Sequence, residues 1–112
     1  MKILCLLALS LALCACKVEA PVNIKSWMGQ WQGVEGTKLE ISREGTQYKV
    51  MIQDLDGQRN YDAEATDHGL SFTRDGVTET IHPGTGLDTG MKWLTDKHNC
   101  LVIKMGEGYC RD

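Results

Sequence analysis

The sequence predicts an all-β fold, a small antiparallel up-and-down barrel or half-barrel of about seven or eight strands. Two observations predict it. Turn-forming residues recur at intervals of about 6–12 residues, and apolar residues alternate with polar ones between the turns. An open two-sheet sandwich is the alternative, but closure into a barrel removes the exposed strand edges that otherwise pair between molecules.

The alternation is clearest in the first two strands. Leu39 and Ile41 alternate with polar neighbours, and Tyr48, Val50 and Ile52 do the same after the next turn. The segment 91–97 fits either a short helix or a strand. The later strands carry their apolar residues at Tyr61, Ala63, Ala65, Leu70, Phe72, Val77, Ile81, Leu101 and Ile103.

Residues 1–15 have the composition of an export signal. Lys2 supplies the positive charge, and an apolar run over 3–13 has Ser10 as its only polar member. A run of this length suits a signal peptide, and it is too short to span a bilayer, which needs about 20 apolar residues. We therefore exclude this segment from the fold.

The site of signal cleavage decides whether the protein is tethered to a membrane. The motif Leu13-Cys14-Ala15-Cys16 resembles the lipobox of bacterial lipoproteins. That resemblance implies acylation of Cys16, and Lys17 implies sorting to the outer membrane of a Gram-negative cell. A competing site of the small-x-small type lies at Val18-Glu19-Ala20, directly before Pro21.

Length and charge limit the function classes. The chain has 112 residues and a net charge of −3, and it contains no basic block of the kind that tracks nucleic-acid phosphates. Under the lipobox reading, residues 16–25 form a short tether and residues 26–112 form one domain. A domain of this size has one modest core, with which a roomy internal cavity would compete.

Two cysteines remain after the signal and the anchor. Cys100 and Cys110 are ten residues apart, and in an oxidising periplasm we expect them to form a disulfide; the alternative is two unpaired buried thiols. His68, His82 and His98 lie far apart and make no zinc-type cluster with the cysteines. We expect neither a metal nor a cofactor.

Gly29-Gln30-Trp31, just before the first strand, is similar to the Gly-x-Trp motif that opens lipocalin-like barrels. That resemblance implies that Trp31 plugs the closed end of the barrel. The size, lipid anchor, barrel and single disulfide together also resemble the small envelope inhibitors of lysozymes and proteases. This second resemblance concerns architecture, and no inhibitory motif can be carried over to particular residues.

Trp27, Trp31 and Trp93 are candidates for the wall of an apolar pocket. The alternative is that Trp31 plugs the core and the other two pack around it. A lipocalin-like carrier of a small apolar ligand would need the pocket.

Two segments are candidates for contact with a partner. The glycine-rich loop 82–90 contains His82 and Asp88, and the end pinned by the disulfide, 106–109, contains Glu107 and Tyr109. Long loops on a rigid sheet often carry binding residues, although 82–90 could also be a plain connection. Acidic charge on these segments favours a basic partner.

No catalytic residue emerges. The acid–histidine neighbours at Asp67-His68 and Asp96-Lys97-His98 lie in predicted turns, where Asp is favoured for its own backbone hydrogen bonds. No serine has a Gly-x-Ser-x-Gly context. We expect a lipid-anchored periplasmic protein-binding module, not an enzyme, with a lysozyme-like enzyme or another envelope hydrolase as its partner. An apolar-ligand carrier and a structural subunit of an envelope assembly are the alternatives.

Overall fold

The computed structural model describes residues 23–111, so the predicted signal peptide, Cys16 and most of the tether lie outside the described residues. Within that range no helix is long and apolar enough to cross a bilayer. Eight strands follow one short 3-10 helix, Ile24–Trp27. They are β1 Gly29–Gln32, β2 Lys38–Glu44, β3 Gln47–Asp54, β4 Gly57–Ala65, β5 Leu70–Arg74, β6 Val77–Gly84, β7 Cys100–Lys104 and β8 Glu107–Cys110.

The strands form a closed antiparallel barrel in sequence order, which confirms the predicted fold class. Each strand pairs with the next along the chain, and β8 returns to β1 through the pair Gln32 and Cys110. Because the connections are in sequence order, the turns alternate between the two ends of the barrel.

The inward faces of the strands carry most of the apolar residues that the alternation predicted, but Ala65 and Val77 are exposed because they lie at strand ends beside turns. Leu39, Ile41, Val50, Leu70 and Ile81 are almost completely inaccessible to solvent. Their side chains fill the barrel together with Trp31, Phe72 and Tyr109, leaving a packed core in the middle of the barrel. Ile24 packs in the same core, so the ordered fold includes the short helix that precedes β1.

One end of the barrel, called the tryptophan end below, is closed by Trp27 and Trp31. Trp27 lies at the end of the first 3-10 helix, and the indole Nε1 of Trp31 donates a hydrogen bond to its carbonyl oxygen at 2.8 Å. Both rings are buried in the core. Arg111, just after β8, covers the ring of Trp31 from outside with its guanidinium 4.0 Å from the ring centroid.

The connection between β6 and β7 packs against the outer wall of the barrel. It comprises residues 85–99 and contains two 3-10 helices, Leu87–Thr89 and Lys92–Leu94, so the helical alternative holds for part of 91–97. Strand β6 extends through Pro83 and Gly84, so the predicted loop begins too early in the sequence. The connection adds a second, smaller apolar cluster outside the barrel, made of Val34, Met91, Leu94, Cys100 and Cys110.

Two glycines allow this connection to fold back on itself and to pack against β8. A Cβ atom on Gly86 would lie 1.5 Å from the carbonyl oxygen of Leu94, and one on Gly108 would lie 2.5 Å from Cγ2 of Thr89. Thr89 is fully buried, and its carbonyl accepts a hydrogen bond from the amide of Gly106 at 2.7 Å. The connection therefore reaches from the tryptophan end to the turn between β7 and β8.

Candidate functional site

The end of the barrel opposite the tryptophan end is an open mouth. It is formed by the loop 33–37 and the turns 55–56, 75–76 and 105–106. A cleft of about 670 Å³ opens there into the barrel. Its walls carry three basic and four acidic side chains among their ten residues, which are Ile52, Asp54, Arg59, Tyr61, Arg74, Asp75, Val77, Glu79, Lys104 and Glu107.

Arg74 forms the floor of the cleft together with two glutamates. Its Nη1 and Nη2 atoms each lie 2.8 Å from a carboxylate oxygen of Glu107, and Nη2 also lies 2.9 Å from Oε2 of Glu79. The three side chains are only 12–21% exposed. Glu107 raises the pKa of the Arg74 guanidinium above its usual value through these hydrogen bonds. The cluster separates the apolar core from the solvent-filled mouth.

An ion pair crosses the outer part of the mouth. Nη2 of Arg59, on β4, lies 3.0 Å from Oδ1 of Asp75, in the turn between β5 and β6. This pair is largely exposed, and Asp75 raises the pKa of Arg59 by accepting its hydrogen bond. Exposed pairs of this kind contribute little to stability, so the contact can open at small cost.

Tyr109 lies at the border between the core and the charged cluster. Its side chain is buried, and this burial raises the pKa of the phenol well above its usual value, with the charge of Glu107 acting in the same direction. The phenol is therefore neutral and can donate a hydrogen bond throughout the physiological pH range.

Exposed apolar side chains surround the mouth. Leu55, Val77 and Met105 are 74%, 56% and 76% exposed, and all three lie in or directly beside mouth turns. The two hairpin turns at the tryptophan end, 45–46 and 66–69, contain only Gly, Thr, Asp and His. The hairpin turns at the two ends of the barrel thus differ in surface chemistry, and the other two highly exposed apolar side chains of the described chain, Leu87 and Trp93, lie in the outer connection 85–99.

The three tryptophans do not form one pocket. Trp27 and Trp31 lie together in the core, whereas Trp93 is 73% exposed in the outer connection. The amine of Lys92 lies 5.7 Å from the centroid of the Trp93 ring. The arrangement puts two of the three rings at the closed end and none in the mouth.

The four remaining predicted contact residues do not form one surface. His82 is exposed on the outer wall, and Asp88 is exposed in the connection. Glu107 and Tyr109 instead point into the barrel. Glu107 belongs to the charged cluster that it forms with Arg74 and Glu79, called the mouth cluster below, and Tyr109 belongs to the core. Asp88 accepts a hydrogen bond from the amide of Thr85 at 2.9 Å, which lowers the pKa of its carboxyl.

Cys100 and Cys110 face each other across β7 and β8, with their Sγ atoms at a disulfide distance of 2.01 Å. Both side chains are buried beneath the outer connection. The predicted pairing is therefore present, and it links the last strand to the wall beside it.

Sequence reasoning missed Arg74 and Glu79, which form two thirds of the mouth cluster. A signal was present, because Leu70, Phe72 and Arg74 share one face of β5, and so do Glu79 and Ile81 in β6. A charged residue at an inward position near a strand end indicates a polar layer in the lumen. Arginine and glutamate are common near turns. The alternation alone therefore could not distinguish charged residues that point into the barrel from charged residues that are exposed to solvent at strand ends.

Comparisons with protein families, with curated proteins and with solved structures find no match to this chain. Within residues 23–111, no group of three or more His, Cys, Asp or Glu side chains is placed to hold a metal ion. The mouth geometry is therefore the basis for a functional assignment.

Proposed function

We propose that the protein is a lipid-anchored module of the Gram-negative envelope that binds a protein partner through the mouth of its barrel. The partner class we favour is a basic envelope or secreted hydrolase, such as a lysozyme-like enzyme, which the module would inhibit. The chain belongs to the outer membrane and faces the periplasm in this proposal, with Cys16 as the acylated residue.

The observation that carries the proposal is the difference between the two ends of the barrel. Among the described residues, three of the five large apolar side chains that are highly exposed lie around the mouth, at Leu55, Val77 and Met105. Contiguous apolar exposure beside polar groups is typical of protein interaction sites. The acidic excess of the cleft favours a partner that inserts a basic side chain.

The direction of the chain supports this orientation. The helix Ile24–Trp27 lies at the tryptophan end, so the described chain begins opposite the mouth. A segment from an acylated Cys16 to Asn23 spans at most about 25 Å when fully extended. An anchor on that side leaves the mouth accessible to the periplasm.

The mouth does not support the alternative of an apolar-ligand carrier. Side chains of the core fill the middle of the barrel, and the cleft that remains has seven charged residues in its walls. Pockets for apolar ligands are lined mainly by hydrophobic and aromatic side chains. An apolar ligand in this cleft would have to desolvate ion pairs without replacing their contacts.

The binding test uses the full chain, purified in detergent, and a basic c-type lysozyme as the probe. We expect inhibition of cell-wall lysis, a binding constant that weakens as salt rises, and a loss of at least about 5-fold in affinity for Leu55→Ser and Met105→Ser. Leu87→Ser is the matched control, because Leu87 is 71% exposed on the outer connection.

A mouth variant that binds lysozyme as tightly as the wild type would overturn the assignment of the surface. If the lysozyme does not bind, the same variants are used to capture proteins from envelope extract. A protein partner retained equally by both mouth variants, or a small apolar molecule that copurifies and is lost on denaturation, would overturn the proposal.

The anchor is tested by mass spectrometry of the membrane fraction. We expect a diacylated or triacylated chain that begins at Cys16, and Cys16→Ser should move the protein from the membrane to the soluble periplasmic fraction. A mature chain that begins at Pro21, without added lipid mass, would show cleavage at the competing site and remove the anchor from the proposal.

A further inference from the structure

The wall of the barrel is incomplete between β4 and β5. Strand β4 pairs with β3 along almost its whole length, from Gly57 to Ala63. On its other side it pairs with β5 only over Ala63–Ala65. Among the described residues, no strand pairs with this second edge of β4 over Gly57–Asp62, and its first four residues are exposed. The edge reaches the mouth.

Two other seams are sparsely paired among the described residues. Strand β6 pairs with β7 over His82–Gly84, and β1 shares with β8 the pair Gln32 and Cys110. At the β1–β8 seam, Arg111 adds side-chain contacts. The Arg111 guanidinium donates hydrogen bonds to the carbonyl oxygens of Ser26, Met28 and Gln30. The β1–β8 seam is therefore filled by a side chain of the protein itself. Of the two edges that remain, β4 over Gly57–Asp62 and β6 over Val77–Ile81, the edge of β4 is the one beside the outer groove described next.

Two recesses lie on either side of the β4 edge. The mouth cleft lies inside, where Arg59 and Tyr61 project from β4. A groove of about 510 Å³ lies outside and is lined by Asp62, Glu64 and Thr73 among others. Because successive side chains of a strand point to opposite faces, a strand added along this edge would place alternate side chains in the two recesses.

The negative charge of the outer groove favours a basic side chain as its occupant. The groove contains two carboxylates, on Asp62 and Glu64, and no basic residue lines it. Asp62 is paired with Lys49 from the neighbouring strand. The carboxylate of Glu64 has no hydrogen-bond or ion-pair partner among residues 23–111, so it is available to an incoming cation.

We propose that the edge of β4 over Gly57–Asp62 binds an extended segment of the partner by strand addition, with a Lys or Arg of that segment in the outer groove beside Glu64. The inference rests on the proposed function, since it names the part of the partner that the mouth region recognises. Backbone hydrogen bonds supply affinity in this binding mode, and side-chain recesses supply specificity. The exposed pair between Arg59 and Asp75 opens to admit the segment.

The test uses a capped seven-residue peptide in which Lys and Val alternate, titrated into the isotope-labelled full chain in detergent and followed by NMR. We expect the largest shifts at the amides of Gly57–Asp62. Methylation of alternate backbone nitrogens of the peptide should weaken binding at least about 10-fold, because one edge of the peptide can then no longer pair. Glu64→Gln should weaken binding about 2- to 5-fold, and Glu44→Gln, on an exposed strand end, should leave it unchanged.

Shifts that avoid Gly57–Asp62, or equal binding of the methylated peptide, would overturn strand addition. The same residues shifting with protein concentration alone would show a second copy of the chain on this edge and would also overturn it. The proposed function is judged separately, by the response of partner binding to Leu55→Ser and Met105→Ser. Those substitutions leave the β4 edge intact, so the two ideas can fail independently.

Discussion

Arg111 holds the closed end of the barrel by lying over Trp31, with its guanidinium carbon 4.0 Å from the ring centroid. The same guanidinium donates hydrogen bonds to three backbone carbonyls that precede or belong to β1. One side chain thus caps the plug of the barrel and joins the last strand to the first. This contact adds to the strand pairing between β1 and β8, which consists of the pair Gln32 and Cys110 among the described residues.

Arg111→Gln should lower the free energy of unfolding by about 2 kcal/mol, because it removes a cation–π contact and charged hydrogen bonds. Arg111→Lys should lower it by an intermediate amount, since an ammonium lacks the planar fork of donors. Urea unfolding, followed by tryptophan fluorescence, measures the free energy of unfolding of both variants. The control is Arg43→Gln, which removes an exposed arginine that lies over Tyr48 and should change stability by less than about 0.5 kcal/mol. Equal losses in Arg111→Gln and the control would contradict the role of Arg111.

Glu107→Gln should lower the free energy of unfolding by about 1–3 kcal/mol. The substitution removes the bidentate partner of Arg74 and leaves that shielded guanidinium with Glu79 alone. Chemical denaturation compares the variant with Asp96→Asn, an exposed acid in the outer connection that should have almost no effect. If the two variants are equally stable, the cluster contributes nothing to the fold.

Replacing Cys100 and Cys110 together by alanine should lower stability by about 2–3 kcal/mol, because the disulfide closes a loop with a sequence separation of 10. The midpoint of guanidinium unfolding measures the loss. Thiol titration of the native and unfolded wild-type protein, without reductant, is the companion experiment, and it should find neither cysteine reactive. Two reactive thiols in the unfolded chain would show that the bond is absent.

The carboxyl of Asp88 should make stability depend on acidity. Its pKa is lowered in the folded protein by hydrogen bonds from Thr85, so its contribution is present above the unfolded pKa of about 3.9 and is lost as the pH falls through the folded pKa. Asp88→Asn should therefore have a lower Tm than the wild type at pH 6, and the difference should shrink below about pH 4. Thr85→Val removes the hydroxyl and retains the backbone donor, so it should preserve part of this pH dependence. A difference that is constant from pH 6 to pH 3 would contradict the assignment.

The alternation of residues favoured the barrel, because the apolar inward positions from Leu39 to Ile81 recur with a period of two, whereas a register shift between Val102 and Lys104 interrupts the period in β7. The physical need to remove strand edges favoured closure, with a half-barrel and an open sandwich as the alternatives that the structure excludes. The order of strands could be predicted because short turns leave each strand beside its predecessor. The pairing gap at β4 could not be predicted, since the polar sequence of Gly57–Asp62 gives the same pattern whether or not its second edge is paired.

The candidate site was predicted only in part, because the sequence did not show which side chains point into the barrel. Glu107 and Tyr109 were singled out as an exposed end near the disulfide, but the strand direction turns both side chains into the barrel. Trp93 was grouped with Trp27 and Trp31 because aromatic residues favour pockets, yet it belongs to a different surface. The sequence shows which residue types are present near a turn. Whether a side chain points into the barrel or outward depends on how its strand pairs with strands that lie far away in the chain.

The packing of the outer connection also decides where this barrel tolerates change. Residues 85–99 are longer than any other loop in the described chain, which would make them the first choice for randomisation in a designed binding library. Gly86 lies against the backbone of Leu94 and Lys97 within the connection, and Thr89 lies against Gly108 of β8, so most substitutions there would disrupt the connection or its packing on β8. The turns 55–56, 75–76 and 105–106 are shorter, and their contacts include the Arg59 ion pair of Asp75, the Thr89 hydrogen bond of Gly106 and the packing of Met105 against Gly90. Diversity introduced in these short turns would alter recognition while leaving the scaffold intact.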